Sequence, residues 1–310
     1  MRIVFFGTPE FAVASLRAIM ENGYEVAAVV TTPDRTGGRG NKLIESDVKK
    51  FAMERGLKVL QPEKLRDPEF LETLRGLEAD LFVVIAFRML PEVVWSMPRV
   101  GTFNLHASLL PQLRGAAPIN HAIMAGFKTS GVTTFLINAE IDKGEILLSE
   151  TTSISDDEDA GELHDRLMEI GAGLVIRTIR GLEEGTLTPS PQPQADCFTP
   201  APKIFKADCR IDFEQPARII SRFIRGLSPY PGAWCRVELA DEKEIEIKVL
   251  KAKPEYVSIG LDPGFCLVQN KKLLVATSDG AIEILQLQPA GKKPMDAKAF
   301  MAGYTPHKFF

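Results

Sequence analysis

An asparagine and a histidine, Asn104 and His106, stand two residues apart at the end of a strand-like segment, Val100 to Leu105, and an aspartate, Asp142, follows farther downstream. Strand side chains alternate between faces, so Asn104 and His106 point to the same side. In open α/β sheets, ligands sit at the carboxyl ends of strands, which is where this pair falls. An amide donor and a titratable imidazole on one side suit acyl transfer, which needs a dipole aimed at a developing oxyanion and a group that moves a proton. No serine or cysteine stands in an activating motif. His121 and His164 have no such company and read as helix-surface or packing residues.

Residues 1–185 carry alternating strand and helix signals that could position these groups. Ile3 to Phe6, Val26 to Thr31 and Leu81 to Phe87 are apolar runs of buried-strand type. Pro9 opens a helix that Gly23 stops, Ser46 caps a second helix ended by Gly56, and Asp67-Pro68 begin a third ended by Gly76. Gly115 to Gly126 reads as a further helix, and a long amphipathic helix spans Gly161 to Gly181. The turn after the first strand, Gly7-Thr8-Pro9-Glu10, lacks the Gly-x-Gly-x-x-Gly fingerprint, which argues against a dinucleotide cofactor. Residues 186–203 are a proline-rich linker or wrapping segment. Beyond it, Pro216 to Arg225 is helical, with Arg218, Arg222 and Arg225 forming either a basic stripe or a solvated face. Five short strands follow, Ala233 to Leu239, Glu244 to Leu250, Gly264 to Val268, Leu273 to Thr277 and Ile282 to Leu287, the pattern of a small barrel. The fold class expected is α/β: a Rossmann-like, doubly wound parallel sheet with a C-terminal OB-like β-barrel domain at 204–310.

The chain of 310 residues has 45% apolar and 25% charged residues, as globular proteins do. No apolar run is long enough to span a membrane, and the first residues enter a strand without signal-peptide anatomy, so the expectation is a cytoplasmic protein. Its four cysteines form no Cys-x-x-Cys pair and read as reduced thiols, with no metal site. The net charge of −4 hides an asymmetry: residues 1–202 hold 20 basic against 28 acidic side chains, residues 203–310 hold 17 against 13. That split suits a polyanion on one face, with ordinary scatter of surface lysines as the competing reading. Pro33 to Lys42, with Gly37, Gly38, Arg39 and Gly40, is a flexible cationic loop that orders against a partner or a mobile surface loop.

Three separated blocks occur in a telling order: Asn104-x-His106-x-Ser108-Leu109-Leu110-Pro111, then Arg114-Gly115-Ala116-x-Pro118, then Ile141-Asp142-x-Gly144. The chain thereby resembles the folate-dependent formyltransferases, and Arg39-Gly40-x-Lys42-Leu43 with Gln286-x-Gln288-Pro289-Ala290-Gly291-Lys292-Lys293 is similar to the members that act on tRNA. The resemblance implies transfer of the formyl group of 10-formyltetrahydrofolate to the α-amine of methionyl initiator tRNA; a cytoplasmic monomer without metal is expected. It assigns catalysis to Asn104, His106 and Asp142. It gives the folate site to Ser108, Leu109, Leu110 and Pro111 and to the loop of Phe87, Arg88 and Leu90. It gives tRNA contacts to Arg35, Arg39, Lys42, Arg222, Lys292 and Lys293. Where many members carry Tyr-Gly in the pterin loop, this chain has Phe87-Arg88. Formyl transfer to a small amine, and an RNA-binding protein that keeps the fold without the activity, are the alternatives.

Overall fold

The computed structural model describes residues 1–37, 42–194 and 198–310. In chain order the elements of its first part are β1 (Arg2–Gly7), α1 (Glu10–Glu21), β2 (Glu25–Val30), β3 (Arg35–Gly37), β4 (Lys42–Ile44), α2 (Asp47–Glu54), β5 (Val59–Leu60), α3 (Pro68–Gly76), β6 (Leu81–Ile85), α4 (Glu92–Trp95) and β7 (Gly101–His106). Then come α5 (Pro118–Met124), β8 (Thr129–Leu136), β9 (Ile146–Ser153), α6 (Ala160–Glu183), α7 (Ala217–Leu227), β10 (Ala233–Leu239), β11 (Glu244–Glu255), β12 (Cys266–Gln269), β13 (Lys272–Thr277), β14 (Gly280–Pro289), β15 (Met295–Asp296), α8 (Ala297–Gly303) and β16 (Pro306–Phe309). They form two compact units: Met1–Gly115 with Thr129–Thr152 and His164–Pro200, and Ala116–Lys128 with Ser153–Leu163 and Ala201–Phe310.

The first unit is built on a sheet of order β5-β2-β1-β6-β7-β8-β9. Its first five strands run parallel, and β1 and β6 are buried along nearly their whole length, as strands covered on both faces must be. Val4, Phe6, Ala28, Val30, Phe82 and Val84 pack against Phe70, Leu71 and Leu74 of α3. Helix starts follow the local chemistry: the Ser46 hydroxyl accepts from Lys49 N at 3.0 Å, and the Asp67 carboxylate caps α3 with Pro68 at its first position. The eighth strand departs from the all-parallel expectation, since β8 lies antiparallel to β7 with Thr133 opposite His106. Apolar composition marks a strand but carries no direction, so this could not be read in advance. The cationic loop is in part a two-stranded ribbon, Arg35–Gly37 against Lys42–Ile44.

The second unit contains an antiparallel sheet of order β12-β13-β14-β11-β10-β16, with β15 on β14. Phe309 N donates to Gly264 O at 2.8 Å and Phe265 bridges Lys308, which brings the two sheet edges together into a nearly closed barrel. The five expected strands are present, joined by β16, whose short Pro-His-Lys-Phe segment has no alternating pattern to announce it. Ile220, Ile224 and Leu227, spaced at i, i+4 and i+7 on α7, pack into the core with Val237, Ile247, Val249, Val275, Ile284 and Phe309. Helix α5 is shorter than the expected Gly115 to Gly126 because Pro118 opens it and Gly126, with φ of 78°, ends it. It meets α7 where Asn120 Nδ2 donates to Gly226 O at 2.7 Å, and Gly226 permits this approach: a Cβ there would lie 2.4 Å from Met124 Cγ.

Candidate active site

The carboxyl ends of β1, β6 and β7 lie side by side, with Gly7 level with Ile85 and Ile85 level with Leu105. The strand order reverses between β1 and β6, and this is the crevice in which open α/β sheets hold ligands. His106, the last residue of β7, is 6% exposed. Its Nε2 donates to Leu113 O at 2.9 Å, which leaves Nδ1 as the outward nitrogen, 4.0 Å from Asp142 Oδ2. That gap is wider than a hydrogen bond, so Nδ1 and the carboxylate face each other with room for a third atom to bond to either.

Both partners are held by backbone in unusual conformations. Leu113 has φ of 60°, a left-handed value that costs a leucine about 1 kcal/mol or more, and this turns its carbonyl onto the histidine. Asp142 also lies in the left-handed region, with φ of 53°, and its Oδ2 accepts from Gly115 N at 3.0 Å. Two residues on, Gly144 packs so closely on β8 that a Cβ would come within 1.6 Å of Leu136 O. Asn104 is half-buried, and among the described residues its carboxamide makes no hydrogen bond, so it remains available to a ligand.

The turn after β7 is tied down by hydrogen bonds. Ser108 is fully buried, and its hydroxyl donates to Gln112 O at 2.6 Å while its carbonyl accepts from Thr133 Oγ1 at 2.7 Å. Leu110 is buried and precedes a cis Pro111, and Leu109 lies against Gly131, where a Cβ would be 2.6 Å from its Cδ2. Ser108 therefore shapes this turn through its own hydrogen bonds. In the loop after β6, Ala86 adopts φ of 47°, a conformation natural to glycine. Phe87 tucks inward, edge-on to Phe6 at 5.7 Å, and Leu90 is buried. Arg88 and Leu90 line an open cleft of about 340 Å³ with Glu63, Lys64, Leu65 and Arg66. The Arg88 guanidinium donates to Glu63 O at 2.8 Å and to Pro62 O, and burial pulls its pKa below the ordinary arginine value.

Of the basic residues, Arg35 is exposed on β3, Lys42 lies on β4 and Arg39 falls outside the described residues. Lys292 and Lys293 are exposed in the turn after β14. Arg222 is half-buried, its guanidinium laid across Gly126, where a Cβ would be 2.4 Å from Cζ. The stripe on α7 is interrupted at Arg225, which donates to Glu158 O at 2.6 Å. Among the described residues no cluster of three or more His, Cys, Asp or Glu could hold a metal, and no helix is long and apolar enough to cross a membrane. Cys209, Cys235 and Cys266 are free thiols, and Cys197 lies outside the described residues. Leu113, Thr133 and Gln192 escaped the sequence reading, since no motif marks a residue that works through its backbone or from a distant segment.

A buried imidazole and an open amide on β7 face a carboxylate from the loop after β8, groups with which acyl transfer can be done. The family model described as "Formyl transferase" matches residues 1–179 and "Formyl transferase, C-terminal domain" matches residues 203–305, so the chain belongs to the formyl transferase family. Methionyl-tRNA formyltransferase of Bacteroides fragilis is 46% identical over 308 residues, covering 98% of this chain and 95% of the relative. That of Parabacteroides distasonis is 49% identical over 310 residues, with 98% and 96% covered. Within the family, the chain belongs with the methionyl-tRNA formyltransferases and is an enzyme of formyl transfer. The fold is also similar to that of HypX from Aquifex aeolicus in complex with tetrahydrofolic acid, with a TM-score of 0.65 and 20% identity. That match covers 98% of this chain and 47% of the other, so this chain spans about half of HypX.

Proposed function

We propose that the chain transfers the formyl group of 10-formyltetrahydrofolate to the α-amine of methionyl initiator tRNA, as a cytoplasmic monomer. Residues 1–185 perform the chemistry, residues 204–310 bind tRNA, and 186–203 join them. The observation that carries this reading is the His106 imidazole held by Leu113 O with Nδ1 facing Asp142, two residues beyond an unengaged Asn104.

The cleft beside Arg88 and Leu90 suits the flat, partly apolar pterin group, since its volume of about 340 Å³ lies within the range of small-molecule sites and Leu65 and Leu90 give it apolar lining. When bound, the folate supplies an activated formyl carbon. The substrate amine attacks that carbon, and the carbonyl oxygen gains negative charge. The Asn104 amide and the His106 Nδ1–H donate to this oxyanion. Asp142, facing His106 Nδ1, orients that ring and receives the proton that the attacking amine sheds. Collapse breaks the bond from carbon to N10, and the proton passes to N10 as it leaves, so the net change is exchange of formyl for hydrogen between the two nitrogens. Arg35, Arg39, Lys42, Arg222, Lys292 and Lys293 are basic groups suited to the phosphates of the tRNA.

The test is a formyl-transfer assay that offers methionyl initiator tRNA, methionyl elongator tRNA and glycinamide ribonucleotide in parallel. Initiator preference supports the reading, and activity on the small amine alone overturns its tRNA half. Asn104→Ala and His106→Ala are each expected to lose on the order of 3 kcal/mol of transition-state stabilisation, about a hundredfold in rate. Near-normal turnover in either variant removes that residue from the mechanism.

A further inference from the structure

Gln192 lies in the proline-rich segment, 50 residues from Asp142 and 78 from Arg114, yet its carboxamide joins all three. Nε2 donates to Asp142 O and to Gly144 O, both at 2.8 Å. Oε1 accepts from Arg114 Nε at 3.1 Å and from Arg114 Nη2. Two donors and two acceptor sites are all that a carboxamide has, so its capacity is used in full.

These contacts fall on the two features that set the aspartate. Asp142 sits in a left-handed conformation, and a donor reaching both its own carbonyl and that of Gly144 closes the loop around it. The acceptor side fixes Arg114, whose neighbour Gly115 supplies the amide that holds Asp142 Oδ2 at 3.0 Å. One side chain thus locates the aspartate through its backbone and, by way of Arg114, through its carboxylate. The same segment reaches the histidine's anchor: Thr199 O accepts from Leu113 N at 2.8 Å, and Thr199 N donates to Gln112 Oε1 at 2.9 Å. Leu113 is the residue whose carbonyl orients His106.

We infer that Gln192 is a positioning residue for formyl transfer, acting through Asp142 by holding the Asp142–Gly144 loop against the Arg114–Gly115 turn. The inference rests on the reading of Asp142 and His106 as catalytic residues. Gln192 touches neither reacting nitrogen, so its effect belongs in kcat. Displacing a catalytic group by about 1 Å costs up to a hundredfold in rate, whereas substrate binding surfaces stay in place.

The experiment measures kcat, KM for both substrates and the urea midpoint for Gln192→Leu, Gln192→Glu, Asp142→Asn and the double variant Gln192→Leu with Asp142→Asn. Glutamate keeps the acceptor for Arg114 and sets a carboxylate oxygen against the Asp142 and Gly144 carbonyls, so it opens the aspartate loop while Arg114 stays held, and it serves if the leucine variant does not fold. The expected result is a loss of roughly ten- to a hundredfold in kcat for both single Gln192 variants with KM changed less than about twofold. In the Asp142→Asn background the same Gln192→Leu change is expected to cost less than about threefold, because its effect runs through a carboxylate that is already gone. Unaltered kcat in folded Gln192 variants beside a slow Asp142→Asn enzyme overturns this inference alone. A full additional loss in the double variant assigns the effect to another group and also overturns it. Wild-type kcat in Asp142→Asn overturns the catalytic reading itself.

Discussion

Thr133 offers a quantitative test of how the strand pairing supports the site. It is fully buried on β8, opposite His106, and its hydroxyl serves the turn that follows β7. Oγ1 donates to Ser108 O at 2.7 Å and accepts from Leu110 N at 3.3 Å and from Ser149 Oγ at 3.2 Å. Thr133→Val retains the volume and removes the hydroxyl, so no cavity term enters. The buried Ser108 carbonyl then loses its partner at about 1–3 kcal/mol, and the long contact to the Leu110 amide adds the lower end of that range. Ser149 is exposed and turns to water at little cost. The total expected is about 2–4 kcal/mol, a fall of about 1 M in urea midpoint for a slope near 3 kcal/mol/M. Because Ser108 follows His106 by two residues, kcat is expected to fall about tenfold or more among the molecules that remain folded. Urea unfolding followed by far-ultraviolet circular dichroism, with kcat measured on the same preparation, checks both. A midpoint within about 0.2 M of the parent and kcat within about twofold would refute the claim that the β8 hydroxyl holds the turn after β7.

Gly144→Ala should lose at least about a hundredfold in formyl transfer, since a Cβ placed 1.6 Å from Leu136 O forces the Asp142 loop away from β8; steady-state kinetics showing parental kcat would mean that the loop relaxes without moving the aspartate. Burial pushes the Cys235 thiol upward and that of Cys266 up to about 11. A raised thiol pKa keeps the neutral, unreactive form until the pH rises past it, so at pH 8 the Cys266 thiolate is about a hundredfold scarcer than that of a free cysteine. In a Cys197→Ser variant, Ellman's reagent at pH 8 should therefore react fast only after unfolding, and rapid release of one equivalent from the native protein would contradict the burial of these thiols.

Much of this protein was legible in its sequence because the signals are local. Ser46 and Asp67 mark the helices they cap because a side-chain oxygen and the amides it serves lie two or three residues apart. The buried strands β1 and β6 show as apolar runs, and β10 matches its expected bounds of Ala233 to Leu239. Asn104 and His106 could be paired from the two-residue period of a strand, and Asp142 came from the order of three sequence blocks. What only the tertiary structure decided depends on contacts across long stretches of chain. Strand direction is one case: β8 runs against β7, and that places Thr133 beside the turn that follows β7. Barrel closure is another, made by β16 through the pairing of Phe309 with Gly264, 45 positions away. The left-handed carbonyl of Leu113 and the carboxamide of Gln192 carry no pattern of their own. Their roles arise from hydrogen bonds whose partners become neighbours only when the chain has folded, so no periodicity or propensity in the sequence could encode them in readable form.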